Sequence, residues 1–164
     1  MSSLFGNRSR ENLQNVHPFL VEILEAAVGI SRVDFSIIEG QRTIERAQML
    51  FDTGRSKLNP AEGEYSRHIR QLPDGTPDEQ SGLVYAVDIA AFHVDPAIRQ
   101  KIIWDEQTLC YLAGLIVGLG DIAYTETGAD YRVRWGGNWN LNGVILHDQS
   151  FDDYGHFEMY RAYQ

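Results

Sequence analysis

The chain has five histidines, His17, His68, His93, His147 and His156, and the chemistry it can perform depends on which of them converge. His68 lies in the segment Tyr65-Ser66-Arg67-His68, and His156 lies in Asp152-Asp153-Tyr154-Gly155-His156-Phe157-Glu158. Between them Asp88 interrupts an apolar run, Tyr85-Ala86-Val87-Asp88-Ile89-Ala90. A carboxylate inside such a strand is costly unless it meets a cation or a metal. A salt bridge or an exposed strand edge is the commoner setting for a lone strand aspartate, and both readings stay open. Two histidines and one carboxylate are nonetheless a donor set for zinc, which takes three N/O ligands in catalytic sites and leaves one position open.

Other side chains qualify for supporting roles. Arg42 follows a strand pattern and opens a helix pattern, a place from which a guanidinium can reach a carbonyl oxygen that gains negative charge; a salt bridge with Glu39 or Glu45 is the alternative. Ser66 can bind substrate or serve as a turn serine, and Trp135 and Trp139 can wall a groove or fill a core. His17, beside Pro18, suits packing or capping, and His147 reads as a surface residue. Cys110, within Leu109-Cys110-Tyr111-Leu112, reads as a buried structural thiol. No Gly-x-Ser-x-Gly elbow and no phosphate-binding glycine loop is present.

The elements that must position these groups follow from periodicity. Leu13, Val16, Leu20, Ile23, Leu24 and Ala27 recur at helical spacing, so residues from about 9 to 27 form a helical region that Pro18 kinks or restarts. Residues 33–38 alternate as a strand. A helix over about 44–53 starts at the N-cap Thr43 and stops at Gly54. The segment 72–82 carries two prolines and two glycines with almost no apolar residue, and is expected to be an exposed loop dispensable for folding. Strands are expected over 83–92, 131–135 and 156–160, and one or two helices over 96–119, the first capped by Asp95. Helices against a small, mostly antiparallel sheet make an α+β fold in one domain spanning residues 1–164.

Composition removes other classes. With 23 acidic against 14 basic residues the net charge is −9, and no basic face is available to displace the counterions of a nucleic acid. The apolar stretch 108–120 is shorter than the roughly 20 residues a membrane span needs, so no membrane insertion is expected. The first residues, Met1-Ser2-Ser3-Leu4-Phe5-Gly6-Asn7-Arg8, lack the apolar core of a signal peptide, which predicts synthesis that ends in the cytoplasm.

Ser66-x-His68, Ala86-Val87-Asp88 and Asp153-x-x-His156-Phe157-Glu158 together resemble the zinc D-Ala-D-Ala carboxypeptidase and endolysin superfamily. Val16-His17-Pro18, Asp34-Phe35 leading to Glu39-Gly40-Gln41-Arg42-Thr43, and Arg134-Trp135-Gly136-Gly137-Asn138-Trp139 resemble its branch of phage endolysins that act as L-alanyl-D-glutamate peptidases. The resemblance implies a Hedgehog/DD-peptidase-like fold, a zinc ion on His68, Asp88 and His156, and Asp153 as general base with Asp152 as its rival. It also implies Arg42 in catalysis, and Ser66, Trp135 and Trp139 against the substrate. The implied substrate is the peptidoglycan stem peptide, cut by a monomer made in the bacterial host's cytoplasm and released to the wall. A D-Ala-D-Ala carboxypeptidase or dipeptidase, and a non-catalytic zinc-binding domain of the same fold, are the alternatives. The family's first motif is compact, whereas here the 72–82 loop separates His68 from Asp88, which leaves His93 as the substitute ligand. Asn138 stands where the family often has Asp.

Overall fold

The computed structural model describes residues 4–93, 95, 97, 102–144 and 149–162. The N-terminal helical region is two helices, α1 (Asn7–Asn12) and α2 (Pro18–Ile30). Pro18 starts the second, where its missing N–H costs nothing, and His17 caps it by accepting a hydrogen bond at Nδ1 from the Phe19 amide at 3.2 Å. Strand β1 (Asp34–Glu39) follows, then α3 (Ile44–Asp52), whose N-cap Thr43 accepts from the Arg46 amide at 3.2 Å. The remaining elements are β2 (Ala86–Phe92), a two-residue β3 (Ile102–Ile103), α4 (Glu106–Thr127), β4 (Tyr131–Gly136) and β5 (Asp153–Arg161).

The sheet is antiparallel throughout, in the order β1-β2-β5-β4. Residues 91 and 92 of β2 pair with both β1 and β3, so β3 occupies the stretch of β2's other edge beyond the reach of β5. Strand alternation sorts the side chains into two faces. Phe35, Ile37, Val87, Ile89, Val133, Trp135, Phe157 and Met159 join Leu20, Ile23 and Leu24 of α2 and Leu109, Leu112 and Ile116 of α4 in one apolar core. The residues between them, including Asp88, Arg134, His156 and Glu158, take the other face, and they line a cavity.

Two expectations change in detail. The long helix begins at Glu106, capped by Asp105, and runs past residue 119 to Thr127, while the helix start expected behind Asp95 falls largely outside the described residues. At 22 residues it is long and apolar enough to cross a membrane by length and composition alone, yet it lays Leu109, Leu112, Ala113, Ile116 and Gly120 into the core. Part of the helix expected over 96–119 lies outside the described residues.

The loop after His68 is mostly exposed, as its composition predicts, but it is not slack. Arg70 donates from Nε to the Gly82 carbonyl at 2.8 Å, and from its two terminal nitrogens to the carbonyls of Glu79 at 2.5 Å and Gln80 at 2.9 Å. Gln71 pairs with Leu83 across the loop's neck. The segment is thus tied across its base, which brings Ile69 and Val84, both fully buried, into the interior on either side.

Candidate active site

Three elements deliver the expected ligands. Asp88 comes from the middle of β2 and His156 from β5, directly opposite each other in the sheet register. His68 comes from the turn before the long loop. It is fastened to the β1–α3 connection, where the Arg42 amide donates to the His68 carbonyl at 2.9 Å. His68 Nδ1 donates to the Gly40 carbonyl at 2.6 Å. Gly40 is required there because a Cβ would fall 1.9 Å from the Asn12 carbonyl oxygen.

The three donor atoms converge. His68 Nε2 lies 3.2 Å from Asp88 Oδ1 and 3.2 Å from His156 Nδ1, and His156 Nδ1 lies 2.9 Å from Asp88 Oδ1. Bonds of about 2.0–2.1 Å to a tetrahedral zinc put ligand atoms about 3.3 Å apart, so the triangle is within a few tenths of an ångström of that geometry. A carbonyl accepts only, so the His68 proton sits on Nδ1 and Nε2 keeps its lone pair. His156 donates from Nε2 to Glu158 Oε2 at 3.1 Å, which leaves its Nδ1 as the ligand atom. Both rings are therefore oriented by a partner on the far nitrogen, as metal-binding histidines are. Among the described residues this is the one group of three or more His, Cys, Asp or Glu side chains so placed. His93 lies exposed just past the end of β2 and outside the group, and His147 is outside the described residues.

Charge around the group is tightly compensated. Burial opposes ionisation of Asp88, but the His68 and His156 rings outweigh it and hold the carboxyl far below the usual range. Burial likewise works against a charged His156, and the contacts with Asp88 and Glu158 overcome it, pushing the imidazole up to about 9. Glu158 is gripped by Arg134, Nε to Oε1 at 2.9 Å, and its carboxyl is held low by His156 and Arg134 against the cost of burial. Arg42 pairs with Glu39, the alternative left open by the sequence, and also reaches Asp88 Oδ2 at 3.4 Å. Its guanidinium therefore lines the cavity beside His68, Asp88 and His156 while Glu39 fixes its position.

Asp153 and Asp152 separate clearly. Asp153 lines the same cavity as the three ligands, and burial, then the nearby Asp88 charge, raise its carboxyl above the ordinary value. Asp152 is instead held by Gln149, whose Nε2 donates to Oδ1 at 2.7 Å. Asp153 and His156 are three residues apart and would face opposite sides of a regular strand. An irregularity reconciles them: Trp135 pairs with Phe157, but the next residue, Gly136, pairs with Asp153. The extra residues bulge out of β5 and return Asp153 to the side of His156. Gly136 permits this, since a Cβ there would lie 2.3 Å from the Asp153 carbonyl oxygen.

Of the proposed substrate residues, Ser66 and Trp139 line the cavity. Ser66 also accepts from the His68 amide at 3.3 Å, and the Trp139 ring packs 5.0 Å from the His156 ring. Trp135 does not fit the role given to it. It shares the core face with Val133, is 4% exposed, and donates its indole N–H to the Tyr154 carbonyl at 2.9 Å. Strand parity decides this, because Arg134 takes the cavity side and its neighbour cannot. Sequence reading passed over Arg134, Glu158 and the Gly40 carbonyl. The alternation Val133-Arg134-Trp135 and the spacing His156-x-Glu158 on a strand were the signals for the first two; nothing in the sequence signals the third.

Known proteins resemble the chain over nearly its whole length. A family model described as phage L-alanyl-D-glutamate peptidase matches residues 1–160. The L-alanyl-D-glutamate peptidase of Escherichia phage T5 is 28% identical over 164 residues, covering 97% of this chain and 99% of that protein. The crystal structure of the Serratia marcescens L-Ala D-Glu endopeptidase ChiX superposes with a TM-score of 0.65 at 27% identity, covering 95% of this chain and 89% of that one. Matched over residues 1–160 by that family model and sharing its overall fold with a solved endopeptidase, the chain belongs to the phage L-alanyl-D-glutamate peptidase family.

Proposed function

We propose that the chain hydrolyses the L-alanyl-D-glutamate bond of peptidoglycan stem peptides as a phage endolysin, using one zinc ion held by His68, Asp88 and His156. The observation that carries the metal is the triangle of donor atoms at 2.9–3.2 Å, each histidine already oriented by a hydrogen bond on its other nitrogen. A zinc ion held by these three residues would supply Lewis acidity toward a carbonyl oxygen and a bound water.

The chain's own groups do the rest. Asp153, with its carboxyl raised by burial, accepts the proton of the attacking water at a carboxylate oxygen and returns it to the leaving amine of the D-glutamyl residue. Arg42, fixed by Glu39, faces the carbonyl oxygen as negative charge develops on it. Trp139 forms one wall of the peptide's seat and Ser66 offers a hydroxyl at its floor. The protein acts as a monomer, inside the wall, after release from the host cytoplasm.

Metal analysis of the purified chain alongside digestion of muropeptides tests the proposal. One zinc per chain and fragments split between L-Ala and D-Glu are expected; release of terminal D-Ala would favour the carboxypeptidase reading. His68→Ala, Asp88→Ala and His156→Ala should each abolish turnover and lose zinc. Full zinc and full turnover in His68→Ala would remove that residue from the ligand set.

A further inference from the structure

The cavity that holds the ligand group has a volume of about 600 Å³, and six basic residues line it: Arg42, Arg46, Arg55, Lys57, Arg67 and Arg134. In a chain of net charge −9 with only 14 basic residues, that concentration is unexpected. Most of these cations are already committed. Arg42 and Arg46 share Glu39, and Arg134 holds Glu158. Arg67 has no carboxylate partner among the described residues either, but it is half-buried and tied to Gln71 Oε1 at 3.2 Å, so two exposed cations remain. Among the described residues neither Arg55 nor Lys57 has a carboxylate partner; Lys57 meets only the Ser150 hydroxyl at 3.3 Å and the Phe151 ring at 5.4 Å.

These two side chains leave a short backbone segment that is itself well anchored. After α3 the chain turns at Gly54, with φ +72°, and the amides of Arg55 and Ser56 both donate to the Leu50 carbonyl, at 2.8 and 3.0 Å. The Leu58 amide donates to the Ser56 hydroxyl at 3.2 Å. Two uncompensated cations are thus presented from one fixed turn into the cavity that also holds His68, Asp88, Asp153 and His156.

The substrate class supplies an anion of matching charge. A D-glutamyl residue has two carboxyl groups; when one carries the rest of the stem peptide, the other is free and ionised, on the leaving-group side of the scissile bond. We infer that Arg55 and Lys57 form a carboxylate-reading subsite that selects stem peptides whose D-glutamyl residue keeps this free carboxylate over those in which it is a carboxamide. The inference rests on the cavity being the active site. Two exposed cations attract a carboxylate through a partly screened field, so the selectivity is moderate and sensitive to salt.

The test measures kcat/KM of the zinc-loaded enzyme on two synthetic stem peptides that differ only in that carboxylate or its carboxamide. The unmodified enzyme should favour the carboxylate by about five- to twentyfold at low salt, and the ratio should shrink as salt is added. Arg55→Gln and Lys57→Gln should each lower the ratio, and the double variant should bring it close to one while keeping zinc. A ratio of one in the unmodified enzyme, a ratio that survives in the double variant, or an equal loss on both peptides would overturn the subsite. Full turnover in His68→Ala would instead remove the cavity as the active site, a failure that the two peptides do not produce.

Discussion

His156 presents one ring nitrogen to Asp88 at 2.9 Å and the other to Glu158 at 3.1 Å, so a single imidazole links the His68–Asp88–His156 cluster to an ion pair two residues along its own strand. Glu158 is nearly fully buried and is held in turn by Arg134.

Glu158→Gln should therefore act through the metal. The amide keeps the size of the side chain but loses the charge that makes His156 a stronger donor, and it leaves Arg134 without its partner. Zinc affinity should fall by about 10- to 100-fold, the usual effect of removing a ligand's supporting carboxylate. Competition with a chelator reads this directly, and unchanged affinity would show that Glu158 serves Arg134 alone.

The two adjacent aspartates should fail differently. Asp153→Asn should keep one zinc per chain and lose about 10² to 10⁴ in turnover, the contribution of a positioned general base. Asp152→Asn should cost much less, because Asp152 is held by Gln149 and is not among the residues that line the cavity. Near-native hydrolysis by Asp153→Asn, or inactivity fully accounted for by lost zinc, would refute the assignment.

Titration of the metal-free chain offers a separate check. Hydrogen bonds to Asp88 and Glu158 push His156 up to about 9 despite burial, above the 6.5 of an unfolded histidine. The stability this shift contributes is fully present below pH 6.5 and is lost as pH rises through about 9. NMR of the metal-free chain should show one histidine ring titrating near 9, with the melting temperature declining across the same range. Zinc should abolish that titration, since it occupies the same lone pair. A ring that titrates near the ordinary value would contradict the network.

The loop over 72–82 should matter more than its composition suggests. Arg70→Ala removes donors from three carbonyls and should destabilise the fold by about 1–2 kcal/mol. Limited proteolysis should then cut within 72–82 sooner than in the parent chain. Deleting Pro73 to Gln80 takes away two of those three carbonyls, so it should lower the melting temperature also, where the sequence alone predicted no change.

Much of the site was legible because its parts are chemically conspicuous: a carboxylate in an apolar strand at Asp88, and a histidine close to an acidic doublet at His156. Strands and helices with clean periodicity or caps, such as the helix behind Thr43, were equally readable. What escaped depends on which way a strand faces. Trp135 and Arg134 are adjacent and both plausible at a groove, and only the pairing of Trp135 with Phe157 sends it to the core. The Gly40 carbonyl has no side-chain signature at all, and the clamp by Arg70 depends on carbonyls of a segment that looks like ordinary turn sequence.

The irregular stretch opposite Gly136 also bears on how the chain tolerates changes of length. Because the residues between Asp153 and Phe157 bulge out of the β5 register, the placing of base and ligand on one side of the sheet depends on how many residues lie between them. The acidic doublet gives that count a reserve. A chain that lost either Tyr154 or Gly155 would still read Asp-x-x-His, with Asp152 at the position that Asp153 now holds. A one-residue insertion between Asp153 and His156 has no such reserve, since both carboxylates would then stand farther along the chain from His156 than the base does now, and neither Tyr154 nor Gly155 carries an acid to take its place.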